Sequence, residues 1–344
     1  MKLKKLLINL KTTIVSNKIS AIVFSKDKAA QLKLFLDSVI ENTPNVFDLT
    51  VIIDYTENEY QKGYEIVVED QNYGDVNFVY REDDYKNQVL GIMKERSEYF
   101  SFFLDDDIIY DKVELADIQS ELESDEDVVC FSLRLGENTT KCYTLGADNV
   151  MLEMETNGDT MKWDWTVHYL DFGYPFAMDG HIFRRKDIYK LVRKTKFNNV
   201  EELEMGLFDF AEMFPRNKMV SYKSSRLVNA PAGRVQQSIE DEMSVAVKES
   251  EARVRRRGIN ATFLSGETLN LEKIDFSNIE GCHQKIKFGG TFDKKIKKTK
   301  SSSMDKVAIR QYGKRWGELT KEEQGEINDS IDRIEDMVKQ KGND

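Results

Sequence analysis

Strand and helix signals alternate from residue 19 to residue 133, and that alternation predicts an α/β protein with a mostly parallel sheet flanked by helices. Two further observations support it. An apolar, aromatic run at residues 99–104 stops at three consecutive aspartates, Asp105, Asp106 and Asp107, and then turns apolar again. That is the pattern of a buried strand delivering charge to a sheet's rim. In addition, no G-x-G-x-x-G or Walker-type loop follows the first strand, so the rim is unlike that of a dehydrogenase or a P-loop enzyme.

The elements follow in order. Residues 19–24 read as a strand. Asp27 is placed to cap a helix carrying Leu32, Phe35, Leu36, Val39 and Ile40, which ends near Asn42 before Pro44. Residues 49–53 are a second strand. A helix follows with Tyr60, Tyr64, Val67 and Val68 on one side. Residues 76–80, 99–104 and 128–133 are further strands, and 84–96 and 113–122 are helices. Ligands of such sheets bind beyond the carboxyl ends of the strands. That rule places Ser25, Asp54, Arg81 and the aspartate triplet on one rim.

Charged residues make up 32% of the chain and hydrophobic ones 40%, the balance of a globular protein rather than a disordered one. A net charge of −11 argues against general binding to nucleic acid or anionic lipid. Three cysteines form no disulfide framework or zinc spacing, which fits a reducing cytoplasm. No apolar run is long enough to span a membrane. At the N-terminus Leu3, Leu6, Leu7 and Leu10 share a helical face, read either as a helix docked on the body or as a peripheral membrane foothold.

Three carboxylates closing a buried strand repel one another unless a cation joins them. Hard aspartate oxygens suit Mg²⁺ or Mn²⁺. Strand alternation would turn Asp105 and Asp107 to one side and Asp106 to the other. A solvated acidic turn or helix N-terminus is the competing reading.

Several segments together resemble the nucleotide-sugar glycosyltransferases of GT-A fold, especially family-2-like bacterial and phage members. They are Ile22-Val-Phe-Ser-Lys-Asp27 with Gln31-Leu32, Tyr60-Gln-Lys-Gly-Tyr64, Val76-Asn-Phe-Val79 and Phe102-Phe-Leu-Asp-Asp-Asp-Ile108. Phe131-Ser-Leu-Arg-Leu-Gly136, Tyr174-Pro-Phe176 and Asp179-Gly-His-Ile-Phe-Arg184 complete the set. The resemblance covers residues 19–288. It implies a Rossmann-like sheet and transfer of a sugar from a UDP- or GDP-sugar to a hydroxyl, with Mn²⁺ or Mg²⁺ bridging the donor phosphates. It makes Asp107 the direct metal ligand, with Asp105 on the ribose or on the metal through water, and counts Asp106 among the donor-binding residues. Ser25, Asp27 and Asp54 would frame the nucleoside. For Asp27 the role of helix cap stays open. Arg81 either faces a phosphate or pairs with Glu82 and Asp83.

For the acceptor side, the resemblance puts Asp179, Gly180 and His181 beneath the donor sugar. Gly180 would admit close backbone approach. His181 would bond a hydroxyl or phosphate, or serve the core. Trp163 and Trp165 offer faces for sugar rings or fill the core. Glu204 is the candidate general base of an inverting transfer and Asp179 the second candidate. The family's Asn-Pro-Asn-x-Leu-Glu segment appears here as Asn199-Val-Glu-Glu-Leu-Glu204, without its Pro and second Asn, and a solvated acidic helix face competes. His283 would return to the metal. Arg234, in a loop at residues 229–237, would hold the diphosphate.

Four segments are expected: an amphipathic segment (1–18), a nucleotide-sugar half (19–133), an acceptor half (134–289), and a basic linker with an appended C-terminal helix (290–344). Residues 285–315 carry eleven Lys and Arg against two Asp. They either form a solvated tail or track the phosphates of a modified nucleic-acid acceptor, with a saccharide as the default acceptor. A nucleotidyltransferase and a non-catalytic sugar- or nucleotide-binding module are the competing functions.

Overall fold

The computed structural model describes residues 17–94, 97–151, 153–231, 242–286, 292–293 and 320–321. Contacts divide the chain into Met1–Lys294 and Lys295–Asp344. The expected N-terminal amphipathic segment and the C-terminal helix lie outside the described residues, apart from short stretches of each. No described helix is long and apolar enough to cross a membrane.

The first half alternates as expected: β1 (Ile19–Lys26), α1 (Ala29–Asn42), β2 (Phe47–Asp54), α2 (Asn58–Val68), β3 (Asn77–Tyr80), α3 (Tyr85–Met93), β4 (Tyr99–Leu104), β5 (Asp107–Ile109), α4 (Leu115–Ser124) and β6 (Val128–Ser132). The second half is irregular. It contributes β7 (Lys141–Cys142), β8 (Ala147–Asp148), β9 (Glu155–Asn157), β10 (Thr160–Asp164), β11 (His181–Arg184), α5 (Arg185–Lys194), α6 (Val200–Phe208), β12 (Lys218–Tyr222), β13 (Leu227–Asn229) and α7 (Glu242–Leu264).

Among the described residues the main sheet has nine strands in the order β3-β2-β1-β4-β11-β6-β12-β10-β9. The pairs β1/β2, β1/β4, β2/β3 and β6/β12 are parallel. Seven of the nine strands therefore run one way, with two departures: β10, antiparallel to both β12 and β9, and one strand at the centre. β11 runs antiparallel between β4 and β6. Its four residues are too few to show alternation, and both partners are distant in sequence.

Side-chain alternation along β1 explains the burial. Ala21 and Val23 join the core on one face, while Ile22 and Phe24 join the core on the other. α1 lays Leu32, Phe35, Leu36 and Val39 on the first face. Ile40, expected with them, is exposed. In α2, Tyr60, Tyr64 and Val67 are buried but Val68 is 40% exposed, because at about 100° per residue it points about 80° away from Tyr60.

One local expectation is corrected and one open alternative is resolved. Asp27 does not cap α1. Lys28 occupies the N-cap position without a side-chain bond, and Asp27, with φ of 57°, turns its carboxylate to the amide and hydroxyl of Thr56 at 2.8 and 2.9 Å. The loop after β1 is thus tied to the loop after β2. Trp163 and Trp165 are both buried, each donating its indole N–H to a carbonyl, of Phe172 and Arg216 respectively. They serve the core, not a sugar face.

Candidate active site

Parallel registry builds the rim. Lys26 pairs with Asp54, and Phe24 with Leu104, so the carboxyl ends of β1, β2 and β4 finish side by side. β3 ends beside them, and the Arg81 amide donates to the Ile53 carbonyl at 2.8 Å. Ser25, Asp27, Asp54, Arg81 and Asp105 are thereby gathered at one edge. Asp54 accepts from Arg81 Nη1 at 3.1 Å and lies 3.2 Å from Lys26 Nζ. Arg81 turns to Asp54 and to the carbonyl of Asn198 at 2.7 Å; among the described residues its ion pair is with Asp54, not with Glu82 or Asp83.

The triplet is not a continuing strand. β4 stops at Leu104, Asp105 and Asp106 form a turn, and Asp107 opens β5. The turn breaks the alternation expected of the three side chains. Asp105 and Asp106 face one cation together: Lys28 Nζ lies 2.8 Å from Asp105 Oδ1 and 2.7 Å from Asp106 Oδ2. Asp105 Oδ2 also accepts from the Ser25 hydroxyl at 3.0 Å and the Lys26 amide at 2.9 Å. The Tyr64 hydroxyl meets Ser25 Oγ at 2.8 Å and accepts from the Lys28 amide at 3.1 Å. Asp107 turns inward. Its Oδ2 accepts from the Leu104 amide and its Oδ1 from Asn229 Nδ2, both at 2.8 Å.

A second cluster adjoins the first. Arg134, fully buried, pairs with Asp179 through Nη1 and with Asp171 Oδ1 at 2.7 Å through Nη2. His283 Nε2 lies 3.1 Å from Asp179 Oδ2. A backbone bridge places it there: the Asn229 amide donates to the Cys282 carbonyl, and the Gln284 amide to the Asn229 carbonyl. Gly180 adopts φ of +76°, and a Cβ there would come within 2.8 Å of Leu227 Cδ1. Its smallness thus admits Leu227 and the left-handed turn. Glu204, half-buried on α6, accepts from the Met178 amide at 3.4 Å. The two candidate bases therefore flank one short loop. Arg234 lies outside the described residues.

Electrostatics distinguish these groups. Burial and then the Asp179 charge push the Asp107 carboxyl well above its ordinary range, against the Leu104 amide and Asn229. Burial raises Asp105, with Lys28 opposing it and Asp106 adding to it. Burial also acts to raise Asp179, but Arg134 and then His283 override it and hold that carboxyl below the usual range. Burial and the Arg134 charge bring His181 down to about 4. His181 Nδ1 lies 3.1 Å from the Pro175 carbonyl. Its proton belongs on that nitrogen, which leaves Nε2 as a bare acceptor, buried and with no hydrogen-bond partner among the described residues.

A divalent cation can be tested against this donor set. No group of three His, Cys, Asp or Glu side chains converges in metal-holding geometry among the described residues. Mg²⁺ and Mn²⁺ do not need one, since hard cations of this kind bind through one or two carboxylates plus phosphates and water. Asp105 and Asp106 supply two carboxylates already sharing one positive charge. Asn229, which donates to Asp106 Oδ1 at 2.9 Å, holds its own buried Oδ1 without a partner. These hard oxygens fit the ion.

Lys28, Arg134, Asn229 and Tyr64 were not assigned roles from the sequence. For Lys28 a signal existed: a lysine three residues after Ser25, in the same loop. Arg134 stood in a quoted motif, with nothing local to mark its two distant carboxylates.

No family model matches the chain. The chain is similar to the bifunctional glycosyltransferase pgtA of Dictyostelium discoideum, 27% identical over 195 residues, which cover 51% of this chain and 25% of that protein. It spans about a quarter of that relative's length. Among solved structures it is similar to residues 1–349 of S. aureus TarS in complex with UDP, at 16% identity and a TM-score of 0.42, over 72% of this chain and 71% of that one. It is also similar to the mannosyltransferase PcManGT from Pyrobaculum calidifontis in complex with GDP-Man and Mn²⁺, at 13% identity and a TM-score of 0.39, over 78% and 71%. The curated relative bears out the resemblance to glycosyltransferases carried by the motifs of residues 22–184.

Proposed function

We propose that the protein is a GT-A-type glycosyltransferase that moves a sugar from a nucleoside-diphosphate donor to a hydroxyl, with a saccharide as the acceptor. One observation carries the reading: Ser25, Lys28, Asp54, Arg81, Asp105 and Asp106 gather at the carboxyl ends of β1, β2, β3 and β4. There a parallel sheet presents its ligand crevice. Cationic Lys28 and Arg81 suit a diphosphate. The acidic pair suits a divalent ion, which when bound would neutralise the departing diphosphate as a Lewis acid.

In the single displacement, the acceptor oxygen attacks the anomeric carbon as the bond from that carbon to the diphosphate oxygen breaks. Glu204 receives the hydroxyl proton. It is preferred to Asp179 because Arg134 and His283 stabilise Asp179 as the anion and so weaken it as a base. His283 then positions Asp179, and the Arg134 network holds the Met178–Asp179 loop beside Glu204.

The test is a thermal-shift screen of UDP- and GDP-sugars with and without Mn²⁺, followed by donor hydrolysis and transfer assays. A donor that raises the unfolding midpoint and is turned over supports the reading, since a ligand binding the native state stabilises it by mass action. Absence of both stabilisation and turnover across both base series refutes it.

A further inference from the structure

We propose that Lys28 is a resident cation of the acidic rim, one that a divalent ion must displace and that the donor diphosphate draws away. The inference rests on the metal-assisted reading above. Lys28 Nζ stands between Asp105 Oδ1 at 2.8 Å and Asp106 Oδ2 at 2.7 Å, with about a tenth of its side chain exposed. The two aspartates are buried. An ammonium and a divalent cation seeking the same carboxylate oxygens exclude one another, by charge repulsion as well as by space.

The side chain is suited to exchange. Its backbone is anchored, because the Lys28 amide donates to the Tyr64 hydroxyl, whereas its four-carbon stem is flexible and ends in a compact charge. An ammonium leaving Asp105 and Asp106 needs a new anion, and a nucleoside diphosphate at the rim supplies it. Metal and donor then bind cooperatively. The metal alone must displace Lys28 uncompensated, while the metal with the diphosphate gives Lys28 a partner. Without either, Lys28 keeps two buried carboxylates from facing each other unneutralised.

The experiment titrates Mn²⁺ by electron paramagnetic resonance into wild type, Lys28→Met and Lys28→Arg, each alone and with UDP or GDP. Lys28→Met is expected to bind Mn²⁺ alone about tenfold or more tighter than wild type, because the carboxylate pair has lost its competitor. Lys28→Arg keeps the charge and is expected to stay near wild type. UDP or GDP is expected to tighten Mn²⁺ binding by wild type more than by Lys28→Met. Mn²⁺ affinity in folded Lys28→Met equal to or weaker than that of wild type overturns the inference, as does absence of Mn²⁺ binding in all three proteins.

Should Lys28→Met fail to fold without metal, Lys28→Gln is titrated instead, with the same expected direction and the same overturning result. The titration requires no turnover. Competition without any sugar transfer would therefore sink the proposed reaction alone, and transfer without competition would sink this inference alone.

Discussion

The imidazole of His283 stands 3.1 Å from one carboxylate oxygen of Asp179, whose other oxygen pairs with the buried Arg134. Two side chains from distant parts of the chain, Arg134 and His283, thus converge on one carboxylate. A loop fixed in this way holds its Met178 amide on Glu204 of α6 at 3.4 Å.

Arg134 is the largest structural commitment of that cluster. Arg134→Met leaves Asp171 and Asp179 without their buried partner, and breaking such a pair from one side costs about 3–5 kcal/mol. Urea unfolding should record that loss. Arg134→Met with Asp179→Asn should recover part of it, because one stranded charge has been removed. Equal stability of the single and double variants would contradict the network.

Buried neutral histidine makes stability depend on pH. His181 titrates at about 4 in the fold instead of at 6.5. Between those values the unfolded chain holds a proton that the folded chain refuses, so this contribution is full above pH 6.5 and falls as pH drops towards 4. The span amounts to about 3 kcal/mol. His181→Asn can still donate to the Pro175 carbonyl but cannot titrate. The difference between its unfolding free energy and that of wild type should therefore change sign or shrink across this window. The paired comparison matters because Asp107, raised by burial, acts in the opposite direction.

Glu204→Gln removes the proposed base while leaving an acceptor for the Met178 amide. Its kcat should fall by about 10²–10⁴, with donor KM within a few-fold. Steady-state transfer assays decide. A retained kcat would move the role to Asp179.

Asp105 is the hub of the rim, accepting from Ser25, Lys26 and Lys28. Asp105→Asn should abolish the rise in midpoint produced by Mn²⁺ with a saturating donor. At a hundredfold excess over Kd that rise corresponds to about 2.7 kcal/mol. Differential scanning fluorimetry measures it directly.

Gly180→Ala places a methyl against Leu227 at a left-handed φ. The combined strain should cost about 1–3 kcal/mol. Pairing it with Leu227→Ala should relieve the contact but not the backbone component, which chemical denaturation can separate.

Much of the first half was legible. The strand-helix alternation and the apolar run ending at Asp105 depend on local periodicity, and periodicity survives folding because each strand packs both faces. Ser25, Asp54, Arg81 and Asp105 were found on one rim because parallel strands bring their carboxyl ends together. For Asp27 a cap stood beside a place at the nucleoside, because an aspartate before an apolar helix normally caps it. Thr56 offered it better hydrogen bonds, from a loop nearly thirty residues on. Alternation would set Asp105 and Asp107 on one side, but the turn at Asp105-Asp106 puts Asp106 with Asp105 instead.

By itself the amino-acid order determined the architecture of the leading half, the acidic rim and the kinship carried by the motifs, since each depends on residues near one another along the chain. Tertiary structure alone decided the antiparallel β11 at the sheet's centre, the placing of Lys28 between two aspartates, and the meeting of Arg134, Asp179 and His283. Those depend on charges and hydrogen-bonding groups that become neighbours only when distant segments close on one another, where burial makes an unmatched charge too costly to leave.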